Sequence, residues 1–230
     1  KDGLVSSNMN AQAYFDLIKS RISKDKSYPM LLCQYICDKF NLEKGSKILD
    51  LGCGSGMHAS CFNSLGYDVT GLDNIESIHF NDFKYVNCDI SKNKIPFDKN
   101  SFDVIFCKSV IEHILYPEEF LKNCREVLRP EGKIIILTPD WQTQVEVFYD
   151  DPTHIHPYTK SSLHDVIKMN GFENVSVEVF TQIPTSWDNN FVKFLTNLTL
   201  LIPFHIFKYF RKYKLLRFSR EKMLIVTATK

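Results

Sequence analysis

The chain has 230 residues, which is enough for one α/β domain with a full core and short for two. Apolar residues make up 44% of the sequence and charged residues 24%, which excludes a disordered or fibrous chain. The formal net charge is only +1, but residues 188–230 carry nine Lys or Arg against two acidic residues, so the rest of the chain is net acidic.

The cysteines and the apolar stretches limit the cellular compartments in which the protein can be expected. Seven cysteines, an odd number, are scattered without the paired spacing of a zinc site, and several fall in apolar runs, which indicates buried thiols in a reducing compartment. Residues 1–10 lack the apolar core of a signal peptide, and the stretch 194–207 is too short for a membrane span. We therefore expect a cytoplasmic protein without a transmembrane helix.

Short apolar runs alternate with amphipathic segments along most of the chain, after two helical patterns at 10–22 and 29–40. The alternation predicts a parallel sheet. Its expected strands are 47–51, 68–72, 83–87, 104–107 and 133–137. Helices are expected at 57–65, 110–114 and 117–128, the last closed by a turn at 129–132. A long polar loop at 140–158, a helix at 160–169 and strands at 175–180 and 223–229 complete the series.

A glycine-rich turn follows the first expected strand. The run KILDLGCGSG places Asp50 at the strand tip and Gly52, Gly54 and Gly56 in the turn, where backbone can approach a ligand closely. A dinucleotide site of the G-x-G-x-x-G type is the first alternative. Met57 stands in place of its third glycine, however, and Asp50 would put a carboxylate beneath a pyrophosphate. A sulfonium cofactor that also carries an ammonium group fits this carboxylate better.

Two more acidic residues follow the next strands. Asp73 ends the second strand, where a carboxylate can accept hydrogen bonds from both ribose hydroxyls. Asp89 follows the third strand and can meet an adenine amino group. Ligands of open α/β sheets bind at the carboxyl ends of the strands, so all three carboxylates lie where a nucleoside-bearing ligand is expected.

The ordered motifs ILDLGCGSG, VTGLD, NCDI, SFDVIFCKSVIEHI and REVLRPEGKIIILTP resemble those of class I S-adenosylmethionine-dependent methyltransferases over residues 44–180. The resemblance implies a Rossmann-like α/β fold whose seven-stranded sheet is mostly parallel with an antiparallel last strand and has helices on both faces. It also implies the cofactor contacts. These are Asp50, Gly52, Cys53, Gly54 and Gly56 at the methionine end, Asp73 and Asn74 at the ribose, Asp89 and Ile90 at the adenine, and Cys107, Lys108 and Ser109 beside the sulfonium.

Methyl transfer to a hydroxyl needs alignment of the acceptor and a base for its proton. The segment THIHPYTKSSL resembles the loop after the fifth strand in the ubiquinone-biosynthesis O-methyltransferase group, in which a histidine faces the acceptor pocket. We therefore favour His154 as the base, with His113 and Glu112 as further catalytic candidates. The alternative is structural, since Glu112 and His113 can order a helix terminus and the loop histidines can be satisfied polar residues.

Some members of that group hold a divalent metal through Glu-x-x-Glu-His and a later histidine. Ser109 takes the place of the first Glu, so Glu112, His113 and His154 or His156 form at most a partial ligand set. We predict no metal. Cys53 and Cys107 are explained by small apolar filling without a redox or nucleophilic role.

We read a single domain over 1–230, with N-terminal helices at 1–43, a cofactor-binding core at 44–180, a basic apolar insert at 181–222 and a last strand at 223–230. The stretch 191–218 interleaves Phe, Leu, Ile and Tyr with Lys and Arg. It fits an amphipathic lid or dimer contact, and also a membrane surface or a lipid-linked acceptor. Nucleic acid is the least favoured partner, because the stripe is short and the chain near neutral.

The sequence thus predicts methyl transfer from S-adenosylmethionine to a small-molecule acceptor, most readily to an oxygen of a sugar, phenol, quinone precursor or lipid-linked hydroxyl. A catalytically silent cofactor-binding regulator and an NAD-dependent oxidoreductase are the alternatives. The oligomeric state and the acceptor itself are left open, because acceptor specificity lies in loops.

Overall fold

A computed structural model of the chain describes residues 25–76, 78–91 and 93–230. The helix expected at 10–22 lies outside the described residues. Seven strands form one sheet in the order β3-β2-β1-β4-β5-β7-β6. The strands are β1 (Lys47–Leu51), β2 (Asp68–Asp73), β3 (Lys84–Asn87), β4 (Phe102–Lys108), β5 (Leu128–Pro139), β6 (Glu173–Phe180) and β7 (Met223–Thr229). Only β7 runs antiparallel, pairing with both β5 and β6, so the predicted fold class is confirmed.

Helices cover both faces of the sheet. They are α1 (Ser27–Lys39), α2 (Met57–Ser64), α3 (Pro117–Val127), α4 (Trp141–Gln144), α5 (Lys160–Met169), α6 (Asn190–Leu198), α7 (Phe204–Phe207) and α8 (Lys214–Arg220). The helix expected at 160–169 and the strand expected at 223–229 have the expected bounds. Thr159 caps α5 by accepting from the N–H of Ser162, and Gly171 follows its end with a φ of 84°.

Each face of the sheet has its own apolar core, because successive side chains of a strand point to opposite faces. Ile105 and Cys107 of β4 pack with α3 and α5 on one face. Val104 and Phe106 pack with α1 and α2 on the other. The two cores hold the central strands rigidly, and the residues at the strand tips are positioned by them.

Three sequence expectations differ from the structure. The helix expected at 110–114 is a short 3₁₀ turn, Ile111–His113, because the chain turns at Ser109 (φ 58°) and becomes extended again at Ile114. The turn expected at 129–132 is a bulge within β5, whose register against β4 jumps between Leu128 and Lys133.

The third difference is the loop expected at 140–158. It contains α4 and a 3₁₀ turn, Phe148–Asp150, and it buries Val147 and Phe148. Its apolar residues therefore give this segment a packed structure in place of a solvated one.

The parallel strands all end at one edge of the sheet, here called the carboxyl edge. Leu51, Asp73, Lys108 and Pro139 end their strands there. Phe180 pairs with Met223, and Met223 with Pro139, so residues 181–222, the basic insert, leave and re-enter the sheet at the same edge. Within the described residues, no helix is both long enough and apolar enough to cross a membrane.

Candidate active site

The glycine turn at the end of β1 is held closely against its surroundings. Gly52 and Gly56 have φ angles of 75° and 82°, which side chains rarely adopt. A Cβ at Gly52 would lie 2.3 Å from a methyl group of Val110, and one at Gly56 would lie 2.6 Å from the carbonyl oxygen of Phe80. At Gly54 (φ 54°) the same position faces open space. The middle of the turn therefore presents bare backbone to the cleft along the carboxyl edge of the sheet.

Asp73 at the end of β2 fixes this turn. One oxygen of its carboxylate accepts from the N–H of Gly54 at 2.8 Å, and the other accepts from the N–H of Asn74 at 2.8 Å. Burial raises the pKa of Asp73, while the hydrogen bonds from these N–H groups oppose the rise. The N–H of Ile75 is a third donor to this carboxylate, which leaves a lone pair for a ligand hydroxyl.

Asp50 lies beneath the turn and is only 2% exposed. Its Oδ2 is buried, and it has no hydrogen-bond partner in the described part of the chain. Desolvation and the nearby charge of Asp73 raise the pKa of Asp50 to about 7. A carboxylate in this state gains from any cation that enters the cleft, because the cation would offset the lost hydration.

The adenine candidates lie in the loop after β3. Asp89 accepts from the N–H and the hydroxyl of Ser91 at 3.0 and 2.6 Å, so its carboxylate also shapes its own loop. Ile90 is half-buried against the core beneath α3. The adjacent Cys88 N–H donates to the carbonyl of Asp73 at 2.8 Å, which places this loop next to the ribose candidate.

The end of β4 differs from the expectation at one residue. The side chain of Cys107 is fully buried in the core, so only its backbone can reach the cleft, and burial raises the pKa of its thiol far above the usual range. Cys53 is likewise buried, in contact with Gly71. Lys108 and Ser109 lie at the carboxyl edge, and the N–H of Ser109 donates to Leu137 at 2.8 Å.

Lys108 links the glycine turn to the acidic and histidine residues beyond it. Burial lowers the pKa of its amine, while the charges of Glu112 and Asp50 raise it. The amine has no hydrogen bond or ion pair with residues 25–76, 78–91 or 93–230. His58 at the start of α2 is its neighbour, and burial, with the charge of Lys108, lowers the pKa of His58 to about 3. His58 is therefore a neutral ring.

Glu112 is fully buried beside the carboxyl edge. Its Oε2 accepts from the hydroxyl of Thr138 at 2.9 Å, whereas no described residue hydrogen-bonds to its buried Oε1. Desolvation raises the pKa of Glu112 to about 7, and the charge of Lys108 lowers it in part. The Glu112 carbonyl accepts from the N–H groups of Ile155 and His156, which ties the loop after β5 to this residue.

Two histidines stand next to Glu112 with one ring nitrogen each already engaged. Nδ1 of His154 lies 2.6 Å from the carbonyl oxygen of Phe148, which can only accept, so Nδ1 carries the proton. Nδ1 of His113 lies 2.7 Å from the hydroxyl of Thr153, and that hydroxyl donates to Asp151. His113 therefore also has its proton on Nδ1, and both Nε2 atoms offer a lone pair. Burial and the neighbouring His154 lower the pKa of His113.

Three groups that can accept a proton or bind a cation thus converge at the carboxyl edge. One ligand atom from each of Glu112, His113 and His154 lies within 4.8 Å of the other two. Because each of these residues has one acceptor left over, the cluster suits a shared donor, which can be an acceptor hydroxyl, a proton or a divalent cation. The structure brings these three predicted catalytic residues together. His156 points elsewhere, with Nε2 3.2 Å from the carbonyl of Leu115.

The sequence reasoning missed the supporting residues of this cluster. Thr138, Thr153 and Phe148 orient Glu112, His113 and His154, and His58 lies beside Lys108. Thr138 carried a signal that could have identified it, since it is the one polar residue in the apolar run 134–139 of β5. Thr153 and Phe148 carried none, because their roles depend on how the loop folds.

A glycine turn with carboxylates at the tips of β1 and β2, on a sheet of this order, defines the class of Rossmann-like methyltransferases. Residues 25–177 match the family model described as a methyltransferase domain. The match covers more than half of the chain, so the protein belongs to this methyltransferase family. Family membership confirms the predicted class and S-adenosylmethionine as its cofactor, and it removes the NAD-dependent oxidoreductase alternative.

Curated relatives and solved structures agree with this assignment. The ubiquinone biosynthesis O-methyltransferase of Glaesserella parasuis is 33% identical over 117 residues, which cover 45% of this chain and 50% of that protein. The Maricaulis maris enzyme of the same name is 32% identical over 120 residues, covering 45% and 46%. The chain therefore spans about half the length of the curated relatives it matches.

Among solved structures, a SAM-dependent methyltransferase of Archaeoglobus fulgidus superposes with a TM-score of 0.64 at 20% identity, covering 95% of this chain and 99% of that one. At this identity the likeness shows the fold alone.

Proposed function

We propose that the protein transfers the methyl group of S-adenosylmethionine to an oxygen atom of a small-molecule acceptor, with Nε2 of His154 as the general base. The observation that carries the proposal is the convergence of Glu112, His113 and His154 at the carboxyl edge. One carboxylate oxygen or ring nitrogen from each residue lies within 4.8 Å of those of the other two. A hydroxyl that enters this cluster finds bases on more than one side.

The cofactor lies across the tips of β1 and β2 in this proposal. Gly52, Gly54 and Gly56 offer backbone to its methionine end, and the buried Asp50 carboxylate faces its cationic groups. Asp73 accepts from a ribose hydroxyl with the lone pair that the Gly54, Asn74 and Ile75 N–H groups leave over. Asn74 lies at the same end, and Asp89 and Ile90 border the adenine. The methyl group then points toward Lys108, Ser109 and Glu112.

The chemistry itself is a displacement at carbon. The acceptor oxygen attacks the methyl carbon, the bond from carbon to sulfur breaks, and S-adenosylhomocysteine leaves as a neutral thioether. The acceptor proton goes to Nε2 of His154, whose Nδ1–H stays on the carbonyl of Phe148. Glu112, once ionised, stabilises the imidazolium that forms. His113 lines the other side of the hydroxyl, with its ring held by Thr153.

Oxygen is favoured over nitrogen for two reasons. The curated relatives are named as O-methyltransferases. A hydroxyl must lose its proton during transfer, which gives a role to the free Nε2 atoms, whereas an amine that attacks through its lone pair needs less help at that moment. The fold alone does not decide, since an N1-methyltransferase of Burkholderia thailandensis has a TM-score of 0.63 to this chain.

Product analysis tests the proposal. The purified protein is incubated with methyl-labelled S-adenosylmethionine and with phenols, catechols, sugars and isoprenoid-linked hydroxyl compounds, each paired with its amine analogue. We expect label in an ether product and release of S-adenosylhomocysteine. Label that appears only with the amine analogues would reject an oxygen acceptor, and cofactor binding without transfer to any compound would favour the silent regulator.

A divalent cation is a second candidate for the same cluster, because a carboxylate oxygen without a partner and two imidazoles are a ligand set that Zn²⁺ or Fe²⁺ accepts. Glu112, His113 and His154 would hold the ion, which would lower the pKa of a bound acceptor hydroxyl. Calorimetric titration with Zn²⁺ and Mn²⁺ separates the two cases. Binding that Glu112→Gln and His154→Ala both abolish supports an ion, and no binding of either metal rejects it.

A further inference from the structure

The basic insert exposes an apolar helix face that nothing in the described chain covers. In α6, Phe191, Phe194, Leu195 and Leu198 recur at the spacing of one helix face, and all four are exposed, Phe191 by 68%. Thr196 is the buried residue of this helix. An ordinary surface helix turns its apolar face inward, so α6 has the reverse arrangement. Leu201, in the 3₁₀ turn that follows α6, is 78% exposed.

A second exposed group follows in the loop between α7 and α8. Tyr209 is 70% exposed, and Phe210 and Tyr213 are exposed beside it. The ammonium groups of Lys208 and Lys212 lie 5.3 and 5.2 Å from the ring centres of the adjacent tyrosines, so cations and aromatic rings alternate on one surface.

The basic residues at 189–220 of the insert form two sets: arginines that pair within the protein, and exposed lysines. Residues 189–220 hold seven Lys or Arg and no acidic residue. Arg211 pairs with Asp150 and Glu221, and Arg220 donates to carbonyls of Thr199 and Ile202, so the arginines hold the insert together.

The lysines form the exposed set. Lys193, Lys208 and Lys212 are exposed and make no ion pair with any described residue. Their charge is available to a partner.

From these observations we propose that the basic insert docks the protein on the surface of an anionic lipid bilayer. Phe191, Phe194, Leu198 and Leu201 enter the boundary between headgroups and acyl chains, and Lys208 and Lys212 contact anionic headgroups. Tyr209 and Tyr213 have an apolar ring and a polar hydroxyl, which suits the same depth. The absence of acidic residues from 189–220, and lysines that pair with no described residue, favour this occupant over a second copy of the chain, whose identical basic surface would repel it.

Docking in this way has a geometric consequence. The insert leaves and re-enters the sheet at the carboxyl edge, where Phe180 and Met223 pair beside Pro139. A docked insert would therefore hold the carboxyl edge, which carries the glycine turn and the histidine pair, near the bilayer. The inference about the surface rests on the insert alone and stands whether or not the acceptor is an oxygen.

Sedimentation with lipid vesicles tests the proposal in the absence of cofactor and acceptor. We expect the protein to pellet with vesicles of phosphatidylcholine mixed with phosphatidylglycerol, to pellet much less with phosphatidylcholine alone, and to be released by salt. The double variants Leu201→Gln with Tyr209→Gln, and Lys208→Gln with Lys212→Gln, should each lower the partition coefficient roughly tenfold or more.

Matched controls lie elsewhere on the surface. Met169 is 85% exposed at the end of α5, away from the carboxyl edge, and Lys99 and Lys122 are exposed lysines outside the insert. Met169→Gln, and Lys99→Gln with Lys122→Gln, should bind vesicles as the parent does. Failure of the parent to bind anionic vesicles, or insert variants that bind undiminished, overturns the proposal. Light scattering that shows a dimer lost in the Leu201→Gln and Tyr209→Gln variant overturns it in favour of a second copy.

Discussion

The rings of His113 and His154 lie with their centres 4.8 Å apart and their planes tilted by 55°, although one follows β4 and the other lies in the loop after β5. Each ring is held from behind, His113 by Thr153 and His154 by the carbonyl of Phe148. This pairing places two imidazole rings side by side at the candidate site. Because different residues hold the two rings, a mutation of one histidine should leave the position of the other unchanged.

Replacement of His154 should lower turnover without affecting the cofactor. If Nε2 of His154 takes the acceptor proton, His154→Ala should lower kcat roughly 10²-fold or more, and added imidazole should restore part of the rate. Affinity for S-adenosylhomocysteine, measured by calorimetry, should not change. His156→Ala is the matched control, because His156 lies in the same loop outside the cluster. An unchanged kcat in His154→Ala would remove this residue from the mechanism.

Replacement of Asp73 should weaken cofactor binding. Asp73→Ala removes the acceptors of the Gly54 and Asn74 N–H groups as well as those for the ribose hydroxyls. Hydrogen bonds to a charged group contribute about 1.5–3 kcal/mol, so affinity for S-adenosylhomocysteine should fall at least roughly tenfold. Asp68→Ala, at the opposite end of β2, should bind as the parent does. Equal affinities in calorimetry would place the ribose elsewhere.

Replacement of Asp50 should make the ligand-free protein more stable at high pH, and it should abolish the stabilisation that S-adenosylhomocysteine gives. The pKa of Asp50 is raised to about 7, above that of an unfolded aspartate near 4, so the folded state holds the extra proton between these values. The free energy of unfolding therefore falls as pH rises from about 4 to 7, and the loss is complete above pH 7. Asp50→Asn removes this pH-dependent loss of stability. The melting temperature of the variant should therefore exceed that of the parent at pH 8 but not at pH 4.

The same variant should no longer be stabilised by S-adenosylhomocysteine. A ligand-induced rise in melting temperature as large as that of the parent would show that Asp50 does not face the cofactor.

The charge of Lys108 should set the pH dependence of cofactor binding. A cationic ligand favours ionised Asp50, so affinity should rise with pH up to about 7 and then level off. Lys108 lowers the pKa of Asp50, and Lys108→Met should therefore move this midpoint to higher pH. Lys122→Met is the exposed control. Calorimetric titrations across pH with the same midpoint in both variants would contradict the assignment.

Local sequence patterns predicted most of the fold and the positions of the glycine turn and the strand-end carboxylates. The period of the apolar residues located β1, α5 and β7, because each buries a face against a core that tolerates no other register. Asp50, Gly52, Gly54 and Asp73 could be located because strand ends and glycines with positive φ have recognisable signals in the sequence. Positions 110–114 were misread as a helix because the backbone turn at Ser109 carries no glycine or proline to mark it.

The cluster of Glu112, His113 and His154 depends on contacts between distant segments. The sequence offered Glu112, His113 and His154 as candidates, but it did not show that their side chains converge, since this depends on how Phe148 and Thr153 pack. The inverted polarity of α6 was also hidden. Its amphipathic period is visible in the sequence, yet only the position of Thr196 against the protein shows that the apolar side faces outward.

The place of β7 in the sheet sets an order on biosynthesis. Among the described strands, β6 is the outermost on its side and pairs with β7 alone, yet the ribosome makes the whole basic insert before it makes Met223–Thr229. Until then β5 and β6 each show an open backbone to the nascent chain's surroundings, and chaperones have a defined interval in which to act. Insertion of a late strand between two earlier ones is a long-range step, so we expect it to limit the rate at which the newly made protein matures.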